Sequence, residues 1–158
     1  VALMTELLGV GPEDRVLEIG AGSGYQAAIL GYVAGEVISI ERLPEIAEQA
    51  RGHLRALGIE NVTVICGDGT SGYPEKAPYE GIIITAAAPD VPQPLIDQLA
   101  EGGVLVAPIG GRDVQTLVRV VKKGEKTVTT SHGGVCFVPL IGEHGWESSS
   151  SGGDFEHY

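Results

Sequence analysis

Short apolar runs alternate with helix-like segments along most of the chain, a pattern that predicts an α/β fold with a mostly parallel sheet. The apolar runs are rich in Val and Ile, as is typical of strands buried on both faces. Strands are predicted over 15–19, 36–41, 62–66, 81–85 and 104–109. Helices are predicted over 1–9, 23–32, 45–57 and 94–100, with Gly9, Pro44 and Gly58 marking their ends.

The pattern changes after residue 110. Two further strands, 115–121 and 127–131, flank a polar turn at 122–126, which predicts an antiparallel hairpin. A turn is also predicted at 101–103. The apolar, glycine-rich stretch 134–140 is predicted to line a pocket or to close the sheet edge. Residues 147–158 are low in complexity and are predicted to form a disordered tail.

The first predicted strand runs directly into a glycine turn, Gly20-Ala21-Gly22-Ser23-Gly24, and then into a helix. Glycines here let a ligand approach the backbone, and the helix N-terminus presents free N–H groups. A dinucleotide fingerprint, G-x-G-x-x-G, would need its third glycine at position 25, which is Tyr25. Glu18 would disfavour a pyrophosphate but suits a cofactor with a cationic amino-acid part. The motif therefore favours S-adenosyl-L-methionine.

Two more acidic residues follow predicted strands. Glu41 ends the second strand and Asp68 follows the third, flanked by Gly67 and Gly69. Ligands of open α/β sheets bind along the carboxyl ends of the strands, and an acid at the second strand binds ribose hydroxyls in such folds. Glu41 is therefore predicted to bind ribose, and Asp68 to accept from an adenine amino group. The alternatives are a solvated surface acid and a plain Asp-Gly turn.

The composition of the chain limits the classes of partner that it is predicted to bind. The 158 residues predict one domain, with 43% hydrophobic and 20% charged residues. A net charge of −11 with scattered basic residues argues against nucleic acid as a partner. No apolar run reaches membrane-span length, so no membrane partner is predicted. Two cysteines predict neither a disulfide framework nor a metal site, which fits a cytoplasmic location.

Four segments together resemble the protein-L-isoaspartate (D-aspartate) O-methyltransferase family of the class I S-adenosyl-L-methionine-dependent methyltransferases. They are residues 16–25, 67–72, 79–110 and 134–146; the first is general to the superfamily and the others are more specific. The resemblance implies a Rossmann-like sheet of about seven strands with an antiparallel end. It also implies S-adenosyl-L-methionine as methyl donor, S-adenosyl-L-homocysteine as product, and repair of isoaspartyl residues in damaged peptides and proteins.

The resemblance also implies site residues. Those matching the cofactor site are Glu18, Gly20, Ala21, Gly22, Ser23, Gly24, Glu41, Arg42, Asp68 and Gly69. Those matching the peptide cleft are Ala87, Ala88, Pro89, Val135 and Val138. The alanine-rich lip at 86–89 differs from the Asn/Asp-Pro-Pro-aromatic motif of many nitrogen methyltransferases, which counts against nitrogen methylation.

No residue of the chain matches the family's Ile-Ser-Ala/Gln-Pro segment, whose serine is usually given as the active site, so no catalytic residue is assigned. That segment lies upstream of the stretch resembling residues 1–4, and we expect residues before Val1. Residues 1–146 are predicted to form the cofactor-binding core. Two alternatives stay open: a methyltransferase with another oxygen or small-molecule substrate, and a core that binds cofactor without turnover. A dehydrogenase is disfavoured by Tyr25 and Glu18.

Overall fold

The computed structural model describes residues 1–148. Within that range the chain forms a seven-stranded sheet flanked by helices, which confirms the predicted fold class. The predicted tail, 147–158, lies outside the described residues apart from its first two positions. None of the described helices has the length and apolar character needed to cross a bilayer.

The sheet is parallel over its first five strands and antiparallel at one end. Its spatial order is β3-β2-β1-β4-β5-β6-β7, so the chain reverses direction across the sheet between β3 and β4. The strands are β1 (Arg15–Ile19), β2 (Glu36–Glu41), β3 (Val62–Cys66), β4 (Tyr79–Ile84), β5 (Leu99–Gly110), β6 (Gln115–Lys123) and β7 (Lys126–Val135). The predicted bounds of β1, β2 and β3 are confirmed. β1 and β2 are buried apolar runs, whereas β3, at the edge of the sheet, buries only Val64.

Four α-helices connect or cover the strands: α1 (Ala2–Leu8), α2 (Tyr25–Val33), α3 (Pro44–Ala56) and α4 (Gln93–Asp97). Helix α1 ends at Gly9, whose φ of 64° is the left-handed conformation that glycine adopts without strain. Helix α4 is shorter than the predicted 94–100, because Leu99 pairs with Tyr79 of β4 instead of continuing the helix. Two short 3₁₀ turns, Gly69–Ser71 and Pro74–Lys76, follow β3.

Two predicted boundaries in the second half are wrong. The predicted turn at 101–103 lies inside β5, where an irregularity in register between Tyr79 and Gly81 absorbs the glycines. The predicted turn at 122–126 is shorter in the structure and consists of Gly124 and Glu125 only. Gly124 has a φ of 63°, and two-residue hairpin loops favour a positive φ at this position. Pairing of Leu99 with Tyr79 and of Val104 with Gly81 keeps 101–103 within β5, although Gly102 itself has a left-handed φ of 74°.

The two faces of the sheet are buried by different elements. Leu17 and Ile19 of β1 face the side covered by α4, together with Leu95 and Leu105. Val16 belongs to the other face, where Met4 of α1 and Leu30 of α2 pack. Since side chains alternate along a strand, Glu18 points to this second face, an otherwise apolar surface. The alternation therefore buries a carboxyl group between the sheet and the helices.

Candidate cofactor and substrate site

The carboxyl ends of β1, β2 and β4 meet at one edge of the sheet and open into a cavity of about 430 Å³. This volume suits a small-molecule ligand. The lining combines the glycine turn and the end of β2 with an apolar wall from 137–141. The lining residues are Val1, Met4, Ile19, Gly20, Ala21, Gly22, Ser23, Tyr25, Gln26, Ile40, Glu41, Arg42, Leu43, Gly69, Thr85, Ala86, Phe137, Val138, Pro139, Leu140 and Ile141.

The glycine turn has the backbone conformation that its sequence predicts. Gly20, Gly22 and Gly24 have φ values of 94°, 52° and 85°, all in the region that favours glycine. The Thr85 hydroxyl holds the turn from β4 by donating to the carbonyl oxygens of Gly20 at 2.6 Å and Ile19 at 3.0 Å. The turn is therefore fixed before any ligand arrives.

We expect Gly20→Ala to destabilise the fold by about 3 kcal/mol, since a Cβ at Gly20 would lie 2.8 Å from Thr85 Oγ1 in addition to the left-handed strain. Gly22→Ala is the matched control. It carries the same kind of strain but meets nothing within 4 Å, so we expect a loss of about 1 kcal/mol. Urea unfolding of both variants measures the difference. Equal losses would contradict a steric role for Thr85.

Glu41 stands at the mouth of the cavity, at the end of β2. Its carboxylate accepts hydrogen bonds from the backbone N–H of Gly22 at 3.0 Å and of Leu43 at 3.2 Å. The side chain thus joins the glycine turn to the start of α3, and Arg42 beside it also lines the cavity. A partly exposed carboxylate at this edge is suited to accept from hydroxyl groups of a ligand.

Glu18 is completely buried and does not line the cavity. Ser39 of β2 donates to Glu18 Oε1 at 2.5 Å, while Oε2 has no partner among the described residues. Burial raises the pKa of Glu18 from 4.5 to about 8; the Ser39 hydrogen bond lowers it and the charge of Glu41 adds a smaller increase. The carboxyl group is therefore largely protonated at neutral pH unless a cation approaches.

Gln26 is a cavity residue that the sequence analysis missed. It lies in the first turn of α2, 7% exposed, and its Nε2 donates to Thr5 Oγ1 at 2.9 Å. Its Oε1 has no hydrogen-bond donor among the described residues. The available signal was its position, since it is the polar residue that follows the glycine turn in an otherwise apolar helical stretch. The cavity thus borders a buried acceptor that is not satisfied within the chain.

One imidazole outside the cavity contacts the glycine turn, that of His53 in α3. It is exposed, but its Nδ1 lies 2.6 Å from the carbonyl oxygen of Ser23, so Nδ1 carries the hydrogen and donates it. His53 therefore supports the glycine turn from outside the cavity. Its spacing from the turn in sequence gives no signal of this contact.

Asp68 and Gly69 differ in their relation to the cavity. Gly69 lines it and packs so closely on Ile19 that a Cβ would lie 2.5 Å from Cγ2. Asp68 does not line it: Oδ1 accepts from the N–H and hydroxyl of Thr70, and Oδ2 from the N–H of Glu143. Burial opposes ionisation of Asp68, but these hydrogen bonds outweigh it and hold its pKa below the usual value. Its contact with adenine stays a prediction.

The predicted peptide-cleft residues are only partly brought to the cavity. Ala87 and Ala88 are fully buried, and their backbones pair with Pro139 and Ile109. Ala87 donates to Val138 and accepts from Leu140, so the chain itself fills the hydrogen-bonding positions of this predicted lip. Pro89 is exposed and outside the cavity lining, and Thr85 and Ala86 line it instead. Strand-like pairing therefore buries both alanines, and their assignment to the peptide cleft stays a prediction.

Val135 and Val138 are separated by a change of structure. Val135 ends β7, where it pairs with Gln115, so the strand does not continue through the rest of the glycine-rich stretch 134–140. Val138 lines the cavity with 71% of its side chain exposed. Gln115 Oε1 turns the chain at this point by accepting from the N–H of Phe137 at 2.8 Å.

Cys66 and Cys136 are both free, and no described group of His, Cys, Asp and Glu is placed to hold a metal ion.

Comparison with known proteins identifies the architecture. The family described as protein-L-isoaspartate(D-aspartate) O-methyltransferase matches residues 1–145. A protein-L-isoaspartate O-methyltransferase of Methanoculleus marisnigri is 56% identical over 151 residues, covering 96% of this chain and 69% of that protein.

Solved structures of the same enzyme share the fold. One superposes with a TM-score of 0.84 at 37% identity, over 91% of this chain and 47% of its own. A second, from Plasmodium falciparum and described as a complex with S-adenosyl-L-homocysteine, gives 0.69 at 25% identity over 89% of this chain and 70% of its own. The chain therefore spans about two thirds of its curated relative and less than half of the first structure. The chain belongs to the protein-L-isoaspartate(D-aspartate) O-methyltransferase family.

Proposed function

We propose that this chain binds S-adenosyl-L-methionine in the cavity at the carboxyl edge of the sheet and transfers its methyl group to the carboxylate of L-isoaspartyl residues. The observation that carries the proposal is family membership joined to a cavity formed by the glycine turn, Glu41 and an apolar wall. The product is S-adenosyl-L-homocysteine. In the methyl ester, the backbone amide nitrogen that follows attacks the ester carbonyl, loses its proton and displaces methanol, which closes a succinimide without further catalysis and accounts for a repair role.

The chemistry of the cavity supports this cofactor. S-adenosyl-L-methionine carries an ammonium and a sulfonium. Gln26 lines the cavity, and its buried Oε1 has no donor among the described residues; Oε2 of Glu18, which lies behind the glycine turn and outside the lining, is also without a partner there. Unsatisfied buried acceptors are costly unless a ligand or water completes them. We assign the ammonium to this side of the cavity, ribose to Glu41 and Arg42, and the adenine side to Gly69, with Asp68 supporting the loop.

The transfer needs positioning more than acid–base catalysis. A carboxylate is already ionised at neutral pH, so no general base has to remove a proton from it. S-adenosyl-L-methionine supplies an electrophilic methyl group when bound. The chain contributes an apolar wall, Phe137, Val138 and Leu140, which excludes water and leaves the attacking carboxylate poorly solvated. The proposed reaction therefore depends on how the cavity positions the isoaspartyl carboxylate, and it needs no general base.

We expect Val138→Pro to raise the KM for an isoaspartyl peptide about tenfold, because an extended peptide would pair with the backbone at 135–138. The Val138 N–H has no acceptor among the described residues, and its carbonyl oxygen accepts from Ala87. Proline removes that N–H and keeps the carbonyl. The control, Val138→Ala, keeps the N–H and removes the exposed side chain. An unchanged KM in the proline variant would remove backbone pairing from the proposal.

The same observations bear on partners and location. We propose isoaspartyl peptides and proteins as the partners, not nucleic acid or a membrane surface, in keeping with the net charge of −11. A cytoplasmic location is proposed from two free cysteines.

The decisive experiment combines binding and turnover. Calorimetric titration with S-adenosyl-L-homocysteine, with NAD as control, tests the cavity; methyl transfer to an isoaspartyl peptide and its aspartyl twin tests the reaction. Selective transfer to the isoaspartyl peptide is expected. Binding without transfer would favour a cofactor-binding core, equal transfer to both peptides would favour another substrate, and binding of neither ligand would overturn the assignment of the cavity.

A further inference from the structure

Arg112 occupies a fixed position at the edge of the sheet where the cavity opens. It lies in the loop between β5 and β6, and its guanidinium carbon is 4.9 Å from the centroid of the Trp146 ring. A cation over an indole face is attracted by the electron density of the ring. Gln115, 2% exposed, fixes the loop backbone by donating to the carbonyl oxygens of Gly111 at 2.8 Å and Arg112 at 3.3 Å.

Both supports of Arg112 are attached to the cavity wall. Oε1 of Gln115 accepts from the backbone N–H of Phe137 at 2.8 Å, and the backbone N–H of Trp146 donates to the carbonyl oxygen of Leu140 at 2.7 Å. Phe137 and Leu140 both line the cavity. Arg112 is therefore connected through Gln115 and through Trp146 to the wall that we assign to the substrate.

The N–H groups of the Arg112 guanidinium are available to bind a ligand. Within residues 1–148 Arg112 forms no ion pair and its side chain donates no hydrogen bond. The contact with the Trp146 ring uses none of the N–H groups of the guanidinium in a hydrogen bond, and these N–H groups match a carboxylate in geometry. A chain of net charge −11 repels acidic peptides at long range, so a held cation at the cleft changes which peptides can bind.

We propose that Arg112 binds a carboxylate of an acidic residue flanking the isoaspartyl residue, and so favours isoaspartyl sites in acidic sequence. The inference rests on the proposed function. The reacting carboxylate is not its partner, because pairing with a guanidinium would weaken that group as a nucleophile, whereas the transfer requires it to be poorly solvated and unpaired. Arg112 thus determines specificity without touching the reacting atoms.

The test uses two isoaspartyl peptides that differ only in having Glu or Gln on both sides of the isoaspartyl residue. Trp146 is the single tryptophan of the chain, so its emission reports peptide binding at this position without any turnover. We expect Arg112→Gln to weaken binding of the Glu peptide about fivefold, with a parallel fall in kcat/KM, and to leave the Gln peptide within about twofold. Added salt should reduce the wild-type preference.

Lys123→Gln is the matched control, because it removes one positive charge at the far end of β6. It should leave both peptides unaffected. Equal weakening of the two peptides by Arg112→Gln, no weakening of the Glu peptide, or no wild-type preference for it would each overturn the proposal. If the wild type binds with the expected preference but transfers no methyl group, the proposed function fails while the specificity role of Arg112 stands.

Discussion

Replacing Glu18 with glutamine should remove most of the pH dependence of folding stability between pH 4 and pH 9. Burial raises the pKa of Glu18 from 4.5 to about 8, so over this range the folded chain holds a proton that the unfolded chain has released. The wild-type free energy of unfolding therefore falls as pH rises from about 4.5 to about 8, and is fully reduced above that. The shift corresponds to a loss on the order of 5 kcal/mol.

Urea unfolding at pH 5, 7 and 9 measures this effect. At each pH, the free energy of unfolding of Glu18→Gln is subtracted from that of the wild type, and the test is how this difference changes with pH. The difference at a single pH is not informative, because glutamine has its own hydrogen-bonding cost at a fully buried position. Glu60→Gln, an exposed glutamate without a side-chain hydrogen bond in the described residues, is the control and should track the wild type. A parallel pH dependence for Glu18→Gln and wild type would show that Glu18 is ionised in the folded chain.

The same carboxyl group should couple ligand binding to proton release. A cationic ligand favours the ionised form of Glu18, so the affinity for S-adenosyl-L-homocysteine, which carries the ammonium, should rise with pH through the neutral range. This rise should be absent in Glu18→Gln. Calorimetry in two buffers of different ionisation enthalpy would measure the released proton directly.

Replacing Glu41 with alanine should weaken S-adenosyl-L-homocysteine binding about 100-fold. The carboxylate is predicted to accept from ribose hydroxyls, and hydrogen bonds to a charged group contribute about 1.5–3 kcal/mol each. The substitution also frees the N–H groups of Gly22 and Leu43, which the carboxylate now holds at 3.0 and 3.2 Å. The glycine turn would lose one of its restraints at the same time.

Glu45→Ala is the control for this variant, because Glu45 is an exposed glutamate in the first turn of α3, close to Glu41 in sequence. Calorimetric titration gives the two dissociation constants, and urea unfolding shows whether each variant keeps its fold. A dissociation constant within threefold of wild type for a folded Glu41→Ala protein would exclude the ribose assignment.

The parts of the fold that sequence predicts well are those determined by local pattern. Strands β1 and β2 are recognised because each is a continuous buried run, and the glycine turn because its φ values demand glycine. The predicted turn at 101–103 lies inside β5 because the flanking residues Leu99 and Val104 pair with β4, a pairing between residues distant in the chain. Turn propensity is local, and sheet pairing overrides it.

The site shows the same division. Glu41 was placed correctly at the cavity because strand ends of a parallel sheet meet at one edge. Ala87 pairs with Pro139, which follows β7, and Ala88 pairs with Ile109 of β5. These contacts join residues distant in the chain, so spacing in the sequence does not predict them, and the role of both alanines in a peptide cleft stays a prediction. Gln26 was missed because a polar residue in a helix is usually exposed, and only packing against α1 shows that it is buried.

The position of β1 has a consequence for how the chain is made. One edge of β1 pairs with β2, which follows soon after it, but the other pairs with β4, which is synthesised only after β2, α3 and β3. During synthesis, the edge of β1 that pairs with β4 therefore stays unpaired until residue 84 has emerged from the ribosome. The strand with this unpaired edge carries Val16, Leu17 and Ile19. Unpaired apolar strand edges are the sites at which nascent chains associate wrongly or bind chaperones. The strand that carries the cofactor turn is thus also the segment most in need of protection during synthesis.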